Sequence, residues 1–481
     1  MWRSESLLTK PLPDVARFLD LINALSDFFE PNTPLYVSRA PGRLDLMGGI
    51  ADYSGSLVLE LPLAVATLVA VQRVEAPYIM MMSTTAAEIG GEPLVTLPLA
   101  ALYPSSIPLD YERAHRLLTF NPQQAWVAYV AGVLIVLQQE HHVALQHGIR
   151  LMVHCEVPIG KGVSSSAALE VATMQALCTL LDVSLEGQEL ARLCQMTENF
   201  VVGAPCGVMD HMTSACGTQD SLLALLCQPM QLQSPVHLPD SVEVWGIDSG
   251  VRHVVSGSNY TSVRIGAFMG YRIIAEIAGF TVMPQAERRV KIVDPLWDGY
   301  LANITPSQWE LIYRDHVPYK LSGGTFLELY GGSTDTVTCI QSEQTYAVRQ
   351  PTAHPIYENH RVQLFRSLLA QQPLNEEQFV LLGELMYQSH ASYSSCGLGS
   401  EGTDWLVELV RRAGVEAGLY GAKITGGGSG GTVAVLAKKG SREQIQDIIA
   451  QYEQETGRKT ILLEKSSPGA VAWGTLRLVN I

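Results

Sequence analysis

Residues 157–173 read Val-Pro-Ile-Gly-Lys-Gly-Val-Ser-Ser-Ser-Ala-Ala-Leu-Glu-Val-Ala-Thr, and no other stretch restricts the fold as much. The ten residues before it, 148–157, are rich in Val, Ile, Leu and Met and predict a strand. Residues 165–181 carry Ala, Leu, Met and Val at helical spacing. A glycine-rich turn therefore feeds a helix, and the first turn of a helix has N–H groups without partners. Those donors and the positive end of the helix dipole suit a phosphate. A purely structural turn with serine at the helix start would look the same. The stretch also departs from the commonest phosphate loop, Gly-x-x-x-x-Gly-Lys-Ser/Thr, because Lys161 lies between the two glycines. No Gly-x-Gly-x-x-Gly pattern follows it, so the assignment has to rest on other parts of the chain.

Two further segments bear it. Residues 39–53 read Arg-Ala-Pro-Gly-Arg-Leu-Asp-Leu-Met-Gly-Gly-Ile-Ala-Asp-Tyr, and residues 421–435 read Gly-Ala-Lys-Ile-Thr-Gly-Gly-Gly-Ser-Gly-Gly-Thr-Val-Ala-Val. With the central loop, in this order, they resemble the GHMP kinases. A fourth segment, Gly-Ala-Pro-Cys-Gly-Val-Met-Asp at 203–210, is similar to the galactokinase branch, with His211 where that branch has Gln. The resemblance runs from about residue 37 to the end of the chain. It implies an α+β fold of two domains: an N-terminal domain of the ribosomal S5 domain 2-like type and a ferredoxin-like C-terminal domain, with the active site between them. The expected boundaries are a helical extension over 1–33, an ATP-binding domain over 34–235 and a C-terminal domain over 236–481. A strand-rich first half and a strand–helix second half also favour α+β layers over a doubly wound parallel sheet.

Phosphoryl transfer needs a phosphate cradle, a magnesium ion, a positioned acceptor hydroxyl and a cation against developing charge. The resemblance supplies a candidate for each. The cradle is Gly160, Lys161, Gly162, Val163, Ser164, Ser165, Ser166 and Ala167. Mg2+ would take the hydroxyl of Ser166, with Ser165 as the alternative, and the carboxylate of Glu198. Asp210 is the candidate base toward the sugar's anomeric hydroxyl, and Arg43 is the arginine that keeps it ionised. Gly427 and Gly428 belong to a glycine stretch that allows close approach of backbone to a ligand. Trp126, with Tyr129, is a candidate contact for the adenine of ATP, although an aromatic on an apolar helix also reads as core.

The acceptor is implied by a departure from the galactokinase pattern. Galactokinases read Gly-Glu-His-Thr-Asp-Tyr where this chain reads Gly-Gly-Ile-Ala-Asp-Tyr at 48–53. Asp52 is kept for ring hydroxyls, while Gly49 and Ile50 stand where polar groups lie toward the sugar's exocyclic hydroxymethyl. L-Arabinopyranose is D-galactopyranose without that group. Polar side chains facing nothing there would cost about 1–3 kcal/mol each. Gly207 and Tyr260 complete the sugar side, the latter in the segment 248–260 that also resembles galactokinase. The variant motif, the serine loop and Ser-Cys-Gly-Leu-Gly-Ser-Glu-Gly-Thr at 395–403 are similar to the kinase portion of plant L-arabinokinases. Those carry a glycosyltransferase-like segment ahead of the kinase, which this chain is expected to lack. The implied activity is phosphorylation of L-arabinose at carbon one, with D-galactose as the alternative acceptor and a non-catalytic sugar and ATP sensor as a third reading.

Composition narrows the partners. A formal charge of −15 argues against a nucleic-acid or anionic-membrane partner. No run of about 18 apolar residues would span a bilayer, and the first residues do not read as a signal peptide. Eight scattered cysteines without a Cys-x-x-Cys pair fit free thiols of a reducing cytoplasm. The expected partners are thus small molecules, in a monomer or homodimer. Further elements are predicted as an amphipathic helix over 11–29, strands over 35–40 and 56–71, a surface excursion over 88–111 and helices over 124–139 and 188–201. A buried strand over 241–248 follows, then an irregular, loosely packed insertion over 284–350. Helices over 376–393, 405–417 and 442–456 and a strand over 471–478 complete the prediction.

Overall fold

The computed structural model describes residues 1–4, 12–104, 109–143, 145–251 and 258–480. A nine-stranded sheet organises the first half. Its order is Trp2–Ser4, Thr475–Asn480, Leu35–Met47, Leu57–Val74, Gly148–Cys155, Tyr78–Ser83 and Leu94–Pro98, and Ser221–Leu226 with Gln231–His237 extends it from the start of Leu57–Val74. Only Tyr78–Ser83 with Gly148–Cys155 pairs in parallel among the described strands; the rest are antiparallel. The mixed α+β arrangement is the one the sequence predicts. Helices Val127–His141 and Ser165–Leu181 are apolar nearly all round and are sandwiched between this sheet and outer helices, which explains their lack of a polar face.

A second, four-stranded antiparallel sheet runs Leu419–Ile424, Thr432–Lys438, Val242–Asp248, Leu462–Leu463. Its side chains alternate as a pleat requires. Val242, Val244, Ala434 and Leu436 join Leu44, Leu46 and Leu59 of the first sheet in one core. Trp245, Ile247, Val433 and Val435 pack instead under the helices Glu401–Ala413 and Arg442–Thr456. The two sheets thus share a core, and the crevice at its edge holds the site.

Several elements differ from expectation. Residues 88–111 are not all surface excursion: Leu94–Pro98 is a strand paired with Tyr78–Ser83. Residues 284–350 are not loosely packed. Their short helices and hairpins close on the helix Ser258–Ile277, burying Trp297, Trp309, Phe326 and Tyr346. Aromatic residues spread over short elements fill that core, so no single window shows a period. Residues 471–478 form a helical turn, Ala470–Trp473, before the strand Thr475–Asn480. The N-terminal helix stops at Ala24, leaving Leu25 exposed. Among the described residues, no helix is long and apolar enough to cross a membrane, and the eight cysteines are free.

Candidate active site

The loop after Gly148–Cys155 places three residues in the left-handed region: Gly160 (φ 71°), Gly162 (φ 69°) and Ser164 (φ 60°). Alternating backbone of this kind turns consecutive N–H groups to one side and forms an anion nest. The helix Ser165–Leu181 starts directly after it. A serine at φ 60° is strained, so neighbours must hold it. Arg43 does so twice, its Nη1 donating to Gly162 O at 2.8 Å and its backbone N to Val163 O at 3.1 Å. Thr432 Oγ1 donates to Lys161 O at 2.9 Å. Lys161 itself turns away from the nest. Its ammonium lies 2.8 Å from the buried Asp248 carboxylate at the edge of the second sheet, so it anchors the loop rather than facing an anion.

Two cavities meet at this nest. One, of about 80 Å3, is lined by Arg43, Ile50, Asp52, Gly160, Gly162, Ser164, Ser165, Ser166, Glu198, Gly207, Asp210, Tyr260 and Gly427. The other, of about 310 Å3, is bounded by Trp126, Tyr129, Leu169, Ile89 and Pro122. Gly160, Ser165, Ser166 and Glu198 line both. Trp126 donates its indole N–H to Glu92 O at 2.9 Å, which fixes the ring in the wall. Of the residues singled out in the sequence, Gly49, Lys161, Val163, Ala167 and Gly428 line neither cavity.

Arg43 and Asp210 form the polar centre of the smaller cavity. Arg43 Nε and Nη2 lie 2.9 and 2.8 Å from the same oxygen, Asp210 Oδ1. Among the described residues nothing donates to Oδ2, and Asp210 lines the cavity. Burial works against the Arg43 charge, but Asp210, Glu60 and Asp45 outweigh it and raise the pKa further. Glu60, 3.3 Å from Arg43, has both oxygens buried without a hydrogen-bond partner. Burial and the Asp45 charge push its carboxyl well above the usual range. Behind them Lys423 Nζ meets Asp45 Oδ2 at 2.6 Å, both side chains fully buried. That pair ties the second sheet to the first.

Asp52 lines the same cavity. Asp52 accepts from Tyr53 N at 2.6 Å through Oδ1, while Oδ2 is buried and unpartnered. Burial, reinforced by Asp210, raises its pKa to about 7, against a counter-pull from Arg264. A Cβ at Gly207 would sit 1.5 Å from Asp52 Oδ2, so glycine is required there for the carboxyl to fit. Ile50 is buried and lines the cavity beside Tyr260. Tyr260 meets Tyr53 edge to face at 6.0 Å. The rest of its segment, residues 252–257, lies outside the described residues. Gly49 (φ 44°) faces the other way: a Cβ there would lie 1.5 Å from the hydroxyl of Tyr393.

Glu198 closes the junction between the cavities. His211 Nε2 lies 2.7 Å from Glu170 Oε2 and 3.2 Å from Glu198 Oε2. Burial disfavours its charge, but the two carboxylates prevail and lift the imidazole pKa to about 10. Glu198 Oε2 has no well-formed hydrogen bond. With the serine hydroxyls it makes a set of hard oxygen donors, which fits Mg2+.

Some of the surrounding residues were not singled out from the sequence. Glu358 accepts from Gly48 N at 3.2 Å and Asn359 from Leu57 N at 3.0 Å, so one helix, Arg349–Leu369, holds both ends of the loop bearing Ile50 and Asp52. Arg264 makes a two-toothed pair with Asp335 at 3.0 and 2.8 Å under Tyr53. Lys423 had a readable signal: a lone lysine between Ala422 and Ile424 in an apolar strand needs a buried partner.

The chain is similar to known proteins in sequence and in fold. Residues 25–73 match the model of the galactokinase galactose-binding signature, 128–218 that of the GHMP kinase N-terminal domain and 370–454 that of the GHMP kinase C-terminal domain. The chain is 43% identical to an L-arabinokinase of Arabidopsis thaliana, over 95% of its own length and 48% of that protein, so it spans about half of that relative. It is 29% identical to a galactokinase of Chloroflexus aggregans, over 92% of its own length and 94% of that protein. The fold superposes on the crystal structure of Lactococcus lactis galactokinase complexed with galactose with a TM-score of 0.70 at 18% identity, covering 94% of this chain and 99% of that one. For Methanococcus jannaschii mevalonate kinase the TM-score is 0.53 at 12% identity, covering 90% and 98%. The chain thus carries the GHMP kinase N-terminal and C-terminal domains together with the galactokinase galactose-binding signature.

Proposed function

We propose that the chain is an ATP-dependent sugar 1-kinase that phosphorylates the anomeric hydroxyl of L-arabinose. One observation carries the reading: an arginine-held aspartate, whose second oxygen has no donor among the described residues, faces the same small cavity as the serine nest. In this proposal adenine lies in the larger cavity against Trp126, and the phosphates reach the nest of residues 160–166 at the junction. The sugar fills the smaller cavity. Asp52 accepts from ring hydroxyls. Asp210 Oδ2 takes the proton of the anomeric hydroxyl as its oxygen bonds to the γ-phosphorus and the bond to the β,γ-bridging oxygen breaks, giving ADP. Arg43 holds Asp210 in place and adds positive charge beside the transferring group. Ser166 or Ser165 and Glu198 would hold Mg2+, which neutralises β- and γ-phosphate charge when bound.

Ile50 supports the pentose. It presents an apolar side chain where a hexose would place its hydroxymethyl, and the relative at 43% identity is an L-arabinokinase. Gly49 carries no side chain, and the space beside it is taken by the hydroxyl of Tyr393. Eight free thiols suit a reducing compartment, and we place the chain in the cytoplasm.

The test compares kcat/KM for L-arabinose and D-galactose in a coupled ADP-release assay. L-Arabinose is expected to be favoured by about tenfold or more, the scale of one misfitted carbon. Ile50→Ala, which opens the wall without touching Gly49, should narrow that ratio. A tenfold preference for D-galactose would make the chain a galactokinase with a divergent pocket.

A further inference from the structure

Tyr393 stands in the last turn of the helix Glu376–Ser395 and is fully buried. Its hydroxyl occupies the space a side chain at residue 49 would need, 1.5 Å from the position of a Cβ there. From that place it accepts from Ile50 N at 2.8 Å and donates to Gly426 O at 3.1 Å. One oxygen therefore joins two loops that face each other across the crevice. The first carries Ile50 and Asp52; the second carries Gly427, and both line the smaller cavity. The ring is held too: His354 meets it edge to face at 5.2 Å and Lys423 Nζ lies 5.3 Å from its centroid. Ile50 and Tyr393 share one small apolar cluster with Leu398 and Ile424, against which Tyr260 packs.

We infer that Tyr393 is a positioning residue for acceptor specificity: its hydroxyl fixes Ile50 and the glycine loop together and so sets the depth of the sugar cavity. The inference rests on the reading that Ile50 forms the wall beyond carbon five. Gly49 and Tyr393 then act as one unit. The glycine is needed because the hydroxyl sits where its Cβ would be, and the hydroxyl is needed because Ile50 N and Gly426 O would otherwise be buried without partners. Tyr393 does not line the cavity, so it acts through Ile50 and Gly427 rather than on the sugar.

Tyr393→Phe keeps the ring and removes the bridge. Steady-state kinetics with both sugars and with ATP should show the sugar KM raised about tenfold, as for one lost buried hydrogen bond. The ATP KM should stay within twofold, and the ratio of kcat/KM between the two sugars should change by about fivefold or more. Gly49→Ala should cost more than tenfold in sugar kcat/KM, and Tyr393→Phe in the same chain should recover only part of that loss, because the methyl would still lie 2.7 Å from Asp45 Oδ2 and 2.8 Å from the ring carbon Cζ. A Tyr393→Phe enzyme with unchanged sugar KM and ratio would overturn the inference. So would a loss shared equally by sugar and ATP together with a lowered Tm, which would mark a purely structural role. Failure of the pentose reading shows separately, as a wild-type preference for D-galactose; the change in ratio on losing the hydroxyl is read against whichever sugar the wild type prefers.

Discussion

In the proposed function, Asp52 is a side chain that trades stability for a binding role. Its carboxyl is buried against Gly207 with one oxygen unpartnered, and its pKa rises from 3.8 to about 7. The folded state thus binds a proton more tightly than the unfolded one. Stability from this group is complete below pH 4 and is lost as pH rises toward 7, at a cost on the order of 4 kcal/mol above that. Asp52→Asn keeps the acceptor for Tyr53 N and removes the ionisation. The Tm difference between variant and wild type should therefore grow in the variant's favour from pH 5 to pH 8, while sugar turnover falls. Thermal melts across that range test it, and a difference independent of pH would refute the assignment. At this scale the sequence was readable where motif and chemistry coincide: Arg43, Asp52, Ser166, Glu198 and Asp210 all line one cavity. The partners of Lys161 and Gly49 were not readable: Asp248, 87 positions later in the chain, holds the Lys161 ammonium, and the Tyr393 hydroxyl fills the space beside Gly49.

Among elements, those whose burial is set locally were legible. The helix Ser165–Leu181 and the helix Arg442–Thr456 have the predicted bounds. The helix Arg349–Leu369 was not read because Pro351 and Pro355 interrupt its pattern, and the short pieces packed on Ser258–Ile277 had no period to show. Yet Arg349–Leu369 presents the loop with Ile50 and Asp52 to the cavity. That loop also fits against the turn carrying Gly207. Gly207→Ala would drive a methyl into Asp52 Oδ2 and force the two loops apart. We expect sugar KM to rise by more than tenfold, a loss of more than ~1.4 kcal/mol, with ATP affinity retained. Isothermal titration with each ligand checks this; unchanged sugar affinity would show that the turn yields freely.

At the scale of the whole molecule, what the sequence could not show is which distant segments meet. Thr475–Asn480 returns to pair with Leu35–Ser38 of the first sheet, and Lys423 of the second sheet buries its charge against Asp45 of the first. Removing one partner of such a pair strands the other. Lys423→Met should lower stability by about 3–5 kcal/mol, and Asp45→Asn in the same chain should restore at least half of it. Urea unfolding of the three variants measures this coupling, and additive losses would contradict it. The two halves come together to set an aspartate, an arginine and an amide nest around one small cavity. Whether that crevice moves a phosphoryl group to carbon one of a pentose is read from the product. After incubation with ATP, Mg2+ and L-arabinose, phosphorus–proton correlation NMR should show the new phosphate coupled to the anomeric proton of the sugar. A phosphate on any other carbon, or ATP left intact beside unmodified sugar, would contradict the account.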